Sequence, residues 1–144
     1  MQASETPPPL PGTWLPGLDS GSGPWNIGVL WYDRATGRMV WRVRPEHCNA
    51  YGSLHGGAMA TYADGQAAAV IDYVFDDPAG HTPTVSLSVD YLAPVPVGAW
   101  LLAEVTLLKT TRTLIFTQAV MTVEGRVVAR SHAIYRNVPG KVSQ

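Results

Sequence analysis

One cysteine, Cys48, is all that this chain of 144 residues contains. No internal disulfide can form, so a reducing compartment is the simpler setting. Charge of either sign is scarce: 10 basic and 11 acidic residues give a formal net charge of −1. That balance argues against a nucleic-acid partner and supplies no acidic tail, although a local basic cluster remains able to hold phosphate. A long hydrophobic run is missing too. The most apolar stretch, residues 58–75, is interrupted by Asp64, Gln66 and Asp72, which speaks against a lipid-spanning helix. The opening MQASETPPPLPG has no positive region followed by an apolar run and does not read as a signal peptide. GxGxxG, Walker, GxSxG and HExxH motifs are all absent, so none of their phosphate, elbow or zinc chemistries is signalled. The expectation is a cytoplasmic protein with neither membrane nor nucleic acid as partner.

What is present suits a packed core: 46% of the residues are hydrophobic and 15% are charged, in a length that fits one domain. Residues 1–24 carry Pro7, Pro8, Pro9, Pro11, Pro16 and Pro24. They are expected to form a flexible, proline-rich arm with no regular structure, from which Trp14, Leu15 and Leu18 could dock. The domain proper is expected over 25–138, with 139–144 as a C-terminal tail.

WNIGVLWYDRATGRMVWRVRPE reads as a hairpin whose second arm puts Met39, Trp41 and Val43 on one face and Arg38, Arg42 and Arg44 on the other. Residues 56–75 read as one helix. It is apolar or small almost all round, hence central rather than a surface helix, and Gly65 inside it suggests close packing. TVSLSVDYLAP, AWLLAEVTLLK, TLIFTQAVMTV and VVARSHAIYRN then read as strands joined by short turns. The class is α+β with a mostly antiparallel sheet. One helix covers only one face of such a sheet, so the other face or its edge is expected to meet another subunit.

His55, Gly56 and Gly57 stand where a loop becomes this helix. Free backbone N–H groups and the positive end of the helix dipole suit that place to polarising a carbonyl oxygen, though the glycines equally permit a plain tight turn. Asp64 follows Gly56 by eight residues, about 12 Å along a helix. It cannot act on an atom held by its own chain's Gly56, whereas a partner's helix could bring it there. Its neighbours Ala60, Thr61, Ala63, Ala67 and Ala68 suggest burial, which raises a carboxylate's pKa and suits base or nucleophile work. Asn49 could orient water or a substrate oxygen, and as a lone residue is more simply a turn former. His47, Cys48 and His55 match no usual zinc spacing, and no metal site is expected. His47 and Cys48, adjacent in sequence, make a poor base–nucleophile pair. Lys109 and Arg112 in LKTTRTL offer two cations beside backbone amides, able to hold phosphate or simply to sit in a solvated turn.

Taken together, N…LHGG…D before a helix, VSLSVDYLAPVPVG, and LLKTTRTLIFTQAVMTVEGRVVARSHAIY resemble the hotdog-fold acyl-CoA thioesterases. The nearest branch is that of the phenylacetate-pathway (PaaI-like) enzymes, related to 4-hydroxybenzoyl-CoA thioesterase, and the resemblance covers roughly residues 25–137. It implies a long central helix wrapped by a five- or six-stranded antiparallel sheet. It also implies a homodimer with active sites at the interface, often paired again into a tetramer, with the acid from one subunit and the glycine amide from the other.

Carried over by position, Gly56 offers its N–H to the thioester carbonyl and Asp64 is the nucleophile or the base that activates water. Asn49 orients water or thioester, His55 supports the loop, and Thr84 stands where relatives carry a serine that helps hold the water. Gly57, Tyr91 and Ala93 match positions near the pantetheine or nucleotide, and Lys109, Thr110, Thr111, Arg112 and Thr113 match the stretch that meets the CoA phosphates. Relatives that use glutamate carry a threonine four residues later. Here that position is Ala68, which favours the aspartate branch.

The implied activity is hydrolysis of an aryl or medium-chain acyl-CoA to the free acid and CoA, with no cofactor beyond the substrate's own CoA. The alternatives are a non-catalytic acyl-CoA-binding module and a hotdog enoyl-CoA hydratase or dehydratase.

Overall fold

The computed structural model describes residues 6–17, 27–77 and 79–140. Residues 1–5 and 18–24 of the proline-rich arm, Trp25 at the start of the expected hairpin, and residues 141–144 of the tail lie outside the described residues.

Among the described residues seven strands occur: β1 (Leu15–Pro16), β2 (Trp31–Asp33), β3 (Arg38–Arg42), β4 (Thr84–Tyr91), β5 (Trp100–Thr110), β6 (Leu114–Val123) and β7 (Arg126–Arg136). They form one antiparallel sheet in the order β1-β2-β3-β5-β6-β7-β4. Between β3 and β4, after a short 3-10 turn at Pro45–His47, lie three α-helical segments among the described residues, α1 (Gly56–Ala63), α2 (Gln66–Val70) and α3 (Tyr73–Asp76). The α2 segment touches β2, β3, β5 and β6, and α1 touches β4. Strands from both ends of the sheet thus reach one helical axis, so the sheet curls around it. Met59, Tyr62 and Ala63 of the helix interlock there with Met39, Trp41, Leu101, Ala103, Met121 and Ala129 of the sheet, all buried. This is the wrapped-helix α+β arrangement that the resemblance implies. None of the described helices is long and apolar enough to cross a membrane.

Two features differ from the sequence expectation. The helix expected to run unbroken over 56–75 stops at Ala63, resumes at Gln66 and stops again before Asp72. At the first break the chain turns to follow the sheet, and Gly65 comes so close that a Cβ there would stand 2.9 Å from the Tyr32 hydroxyl and 3.2 Å from the Tyr62 carbonyl oxygen. At the second break Ile71 takes an extended conformation and buries its side chain in a separate cluster with Ile115, Ala133 and Tyr135. Tertiary packing overrides the alanine-rich helix propensity at both places.

The second difference concerns the arm. Residues 6–17 lie on the sheet face opposite the helix, where Leu10 and Trp14 pack against Val29, Trp31, Val40, Trp100 and Leu102. Arg38 pins them, donating from Nη2 to Pro11 O at 2.9 Å and to Asp33 Oδ2 at 2.9 Å, with its guanidinium 5.1 Å from the Trp14 ring centre. Leu15 and Pro16 add a short edge strand, the seventh, where proline's missing N–H costs no ladder bond. Met39, Trp41 and Val43 point inward as expected. Val40, on the opposite face, is buried as well because the arm covers it.

The helix is tied to the sheet through a buried polar side chain, Gln66. Its Oε1 accepts from Thr117 Oγ1 at 2.9 Å and its Nε2 donates to Ser131 Oγ. All three residues are buried. Replacing Gln66 by leucine keeps the volume but strands two hydroxyls. Gln66→Leu should therefore lower unfolding stability by about 1–3 kcal/mol, read from the midpoint of urea denaturation. An unchanged midpoint would show that the network contributes nothing.

Candidate active site

The loop before α1 folds on its own polar groups. Asn49 Oδ1 accepts from the backbone N–H of Tyr51 at 2.9 Å and of Ser53 at 3.2 Å, an Asx-type turn. Its amide nitrogen has no partner among the described residues. His55 then caps the helix: its Nδ1 accepts from Gly57 N at 3.0 Å. The acceptor must be unprotonated, so the ring's proton sits on Nε2. This cap uses up the Gly57 N–H and leaves the Gly56 N–H with no acceptor among the described residues. Tyr91, at the far end of β4, donates from its hydroxyl to Gly56 O at 2.6 Å. Gly56, Tyr91 and Ala93 together with Leu54, Met59 and Val95 line an open groove of about 310 Å³. The amide end is therefore a shallow trough lined by mostly apolar side chains and by polar backbone, with one unclaimed N–H at its edge, beside a helix N-terminus that favours negative charge.

Asp64 forms the other end. It caps the C-terminus of α1, and Thr84 Oγ1 donates to its carboxylate, 2.8 Å from Oδ1 and 3.1 Å from Oδ2. The buried hydroxyl of Tyr135 donates to the backbone carbonyl of Asp64 at 3.0 Å. The carboxylate reaches solvent at the surface of the single chain. Nonetheless the protein around it strips enough water to raise its pKa above the ordinary aspartate value, an effect that the Thr84 and Tyr135 hydroxyls partly oppose. The result is a more basic carboxylate.

Within one chain the two ends stay apart. Thr84 and Tyr91 begin and end β4, a span of about 20 Å, and each touches a different end of α1. The cation-bearing hairpin belongs to the Asp64 end, because Thr84, Tyr135, Ile115 and Thr110 form one row across β4, β7, β6 and β5. Thr111 shapes that hairpin: its Oγ1 accepts from Leu114 N at 2.9 Å and its backbone O accepts from Asn137 Nδ2 at 2.9 Å. Lys109, Thr110, Arg112 and Thr113 are exposed around it.

Residues that the sequence reading passed over complete the picture. Tyr135 and Gln66 hold the helix break, and their signal was only an inward position on β7 and a glutamine in an apolar helix. Cys48 and His47 make no reactive pair. Burial raises the Cys48 thiol and lowers the His47 imidazole, and the His47 ring lies 4.9 Å from that of Trp41. No group of three or more His, Cys, Asp or Glu gathers as a metal site among the described residues.

Comparison with known proteins bears on these ends. A family model described as "Thioesterase superfamily" matches residues 51–130, a span that includes Gly56, Asp64, Thr84, Tyr91 and the hairpin. A Caenorhabditis elegans protein named as an esterase is 39% identical over 75 residues, 52% of this chain and 43% of that protein. The match thus spans less than half of that relative's length. Among solved structures, a Streptococcus pneumoniae thioesterase protein crystallised with coenzyme A aligns with a TM-score of 0.61 at 22% identity, covering 74% of this chain and 82% of that one. An N33D mutant of the phenylacetic acid degradation protein PaaI from Thermus thermophilus aligns with a TM-score of 0.59 at 23% identity, covering 70% and 84%. At these identities the two structures establish the hotdog fold.

The raised Asp64 pKa has a consequence for stability. A carboxyl that binds its proton more tightly folded than unfolded favours the folded state at low pH. That advantage disappears as pH rises from the ordinary value of 3.8 through the raised folded one. Above that window the ionised acid works against folding. Asp64→Asn should therefore be more stable than wild type at neutral pH, with the difference closing below the ordinary aspartate range. Urea denaturation at several pH values between 3 and 7 would check this, and a constant difference would contradict it.

Proposed function

The chain belongs to the thioesterase superfamily, and from that premise we propose that it hydrolyses acyl-CoA thioesters in a site shared by two copies of itself. One observation carries the reading: a single chain holds an unclaimed amide at Gly56 and a basic carboxylate at Asp64 on opposite ends of α1, each fastened to an opposite end of the same strand. That strand, β4, is the edge of the sheet, and Val85 and Tyr91 on it and Leu92 just after it are more than half exposed. An unpaired edge of this kind invites another strand. A two-fold axis that pairs β4 with its own copy runs the two strands antiparallel. The Thr84 end of one chain then faces the Tyr91 end of the other, and Asp64 of one meets the Gly56 groove of its partner.

In this assignment the thioester carbonyl oxygen accepts from the Gly56 N–H, and the helix N-terminus stabilises the charge that grows there. Asp64 takes a proton from water as the water oxygen attacks the carbonyl carbon. The C–S bond breaks, and the proton returns to the departing CoA thiolate, giving acid and free thiol. Thr84 holds the carboxylate in place, while His55 keeps the Gly57 N–H occupied so that Gly56 is the available donor. The amide nitrogen of Asn49 is free to orient water or thioester. Lys109 and Arg112, on the hairpin at the Asp64 end, supply charge for the CoA phosphates. The trough beside Gly56, Tyr91 and Ala93 takes the thioester arm, and its apolar lining suits an aryl or medium-chain acyl group. CoA enters as part of the substrate, and the chemistry asks for no further cofactor.

A thiol-release screen against short, medium, long and aryl acyl-CoAs tests the activity, and Asp64→Ala should lower kcat by about 10²–10⁴-fold. Tight acyl-CoA binding without thiol release, or hydration of an enoyl-CoA without it, would replace the hydrolase reading. A mixed-chain experiment tests the shared site. Gly56→Pro removes the amide hydrogen at a first helical position, where proline is tolerated. Asp64→Ala and Gly56→Pro chains, each inactive alone, should regain about a quarter of wild-type activity when refolded together, since half of the resulting two-fold dimers carry one intact site. No recovery would place acid and amide in the same chain.

A further inference from the structure

Groups that the proposed reaction does not use gather at the break between α1 and α2. There the backbone carbonyls of Asp64 and Gly65 lose the regular helical partners that residues four positions on would supply. Gly65 O is met by Ala68 N at 3.2 Å and by the Tyr32 hydroxyl at 3.4 Å. Asp64 O is met from outside the helix, by Tyr135 Oη at 3.0 Å. Tyr135 is 1% exposed, and burial together with the nearby Asp64 charge pushes its pKa far up. It therefore keeps its proton and donates throughout the working pH range. In the sheet Tyr135 is the direct partner of Thr84, the residue whose hydroxyl donates to the Asp64 carboxylate. One cross-strand pair thus holds the acid: Thr84 donates to its carboxylate, and Tyr135 donates to its main-chain carbonyl while its hydroxyl also favours the charged carboxylate.

We infer that Tyr135 is a positioning residue for Asp64: its hydroxyl takes the carbonyl released by the helix break and so fixes where the carboxylate stands and how strongly it holds a proton. The inference rests on the proposed role of Asp64 and adds a residue that never touches substrate. A carbonyl left unpaired beside the carboxylate presents a second negative dipole to it. Removing the Tyr135 hydroxyl should therefore make Asp64 harder to ionise.

Tyr135→Phe deletes one oxygen and is the direct test, with Tyr62→Phe as the matched control. The Tyr62 hydroxyl is equally buried, sits on α1 and lies 2.9 Å from Met39 O and 2.8 Å from Leu101 O, so its loss costs core hydrogen bonding without touching Asp64. Two readouts are followed: kcat and KM for the best acyl-CoA of the screen, and the pH titration of the Asp64 side-chain carboxyl by carbon-13 NMR. In Tyr135→Phe kcat should fall about tenfold, the size of one lost hydrogen bond, with KM changed by less than about twofold. The Asp64 midpoint should move to higher pH, carrying the acid limb of the kcat profile with it. Tyr62→Phe should lose thermal stability while kcat and the Asp64 midpoint stay at wild-type values.

Replacing Tyr135 by 3-fluorotyrosine keeps the bond and makes the hydroxyl a stronger donor. It should move the midpoint the other way, and it reads the same contact if the phenylalanine variant does not fold. Wild-type kcat and midpoint in a folded Tyr135→Phe, an unmoved midpoint in the fluorotyrosine protein, or equal shifts in Tyr62→Phe would overturn the inference. The titration needs no turnover. A protein that releases no thiol would therefore sink the hydrolase reading and leave the positioning of Asp64 still measurable.

Discussion

A helix that stops inside a protein leaves carbonyls that something must satisfy, since an unpaired buried carbonyl costs as much as a lost hydrogen bond. Much of this molecule is arranged around that requirement at Asp64 and Gly65. The sheet answers it from several strands at once. Tyr135 of β7 takes Asp64 O, Tyr32 of β2 lies near Gly65 O, and Thr117 and Ser131 of β6 and β7 hold Gln66, the first residue of the resumed helix. A sheet able to send donors from β2 and from β7 to one stretch of backbone must curl around it. The curl and the break therefore require each other: an unbroken straight helix would not need the tyrosines, and a flat sheet could not deliver them.

The same arrangement divides the sheet's two faces between two kinds of cover. Toward the helix, the small residues Ala63, Ala67, Ala103, Ala119, Ala129 and Ala133 are all buried, which lets backbone come close to backbone and leaves the volume to a few large side chains such as Trp41 and Tyr62. Away from the helix only the first strands are sheltered, by the proline-rich segment with Leu10 and Trp14. At the opposite edge none of the described residues covers the outer face of β4, where Ser86, Ser88 and Asp90 are exposed. Its ion pair, Asp90 with Arg130 at 2.7 Å, lies in water on the outer face, where such a pair adds little stability. Its alternating Val85, Leu87, Val89 and Tyr91 are apolar enough for a core and only partly enclosed. A strand written for burial yet left at an edge is unfinished business within one chain.

The strands were legible because their signal is local. Period-two alternation and short turns placed β5 to β7 within one residue at each end and overran the end of β4 by three, and the set Met39, Trp41 and Val43 was correctly placed on one face. The wrapped helix was legible from a composition that is apolar on every side. Its breaks were not, because alanine-rich sequence favours continuity and the forces that end it come from distant strands: Gly65 makes room for Tyr32, and Ile71 is pulled into a separate cluster. Trp14 was named as able to dock, but where the arm docks was hidden. Prolines announce only what the segment cannot be, and the matching surface around Val40 is assembled from β2, β3 and β5. At the site, spacing alone foretold that Gly56 and Asp64 could not meet in one chain. Thr84 entered only through the family resemblance, as a residue that helps hold water, and its hydrogen bond to Asp64 was signalled by no pattern in the residues. Tyr135 escaped because a large residue at an inward strand position looks like any other core side chain, and nothing local reveals that its hydroxyl aims at a carbonyl far along the chain.

The polarity of a short helix offers a reason why a hydrolytic site of the proposed kind would be divided in this way. The N-terminus of α1 carries partial positive charge, which suits a donor for a developing oxyanion, and its C-terminus carries partial negative charge, which makes a carboxylate placed there a better base. The two functions want opposite ends, so no single short helix can apply both to one substrate atom. Two copies related by a two-fold axis, with their helices side by side and antiparallel, set the positive end of one beside the negative end of the other. That apposition is itself electrostatically favourable, and it makes two equivalent sites from one set of contacts. Acid and amide would then be matched by the geometry of pairing, and a lone chain, with its base and its donor separated by the length of α1, would be inert until it found its partner.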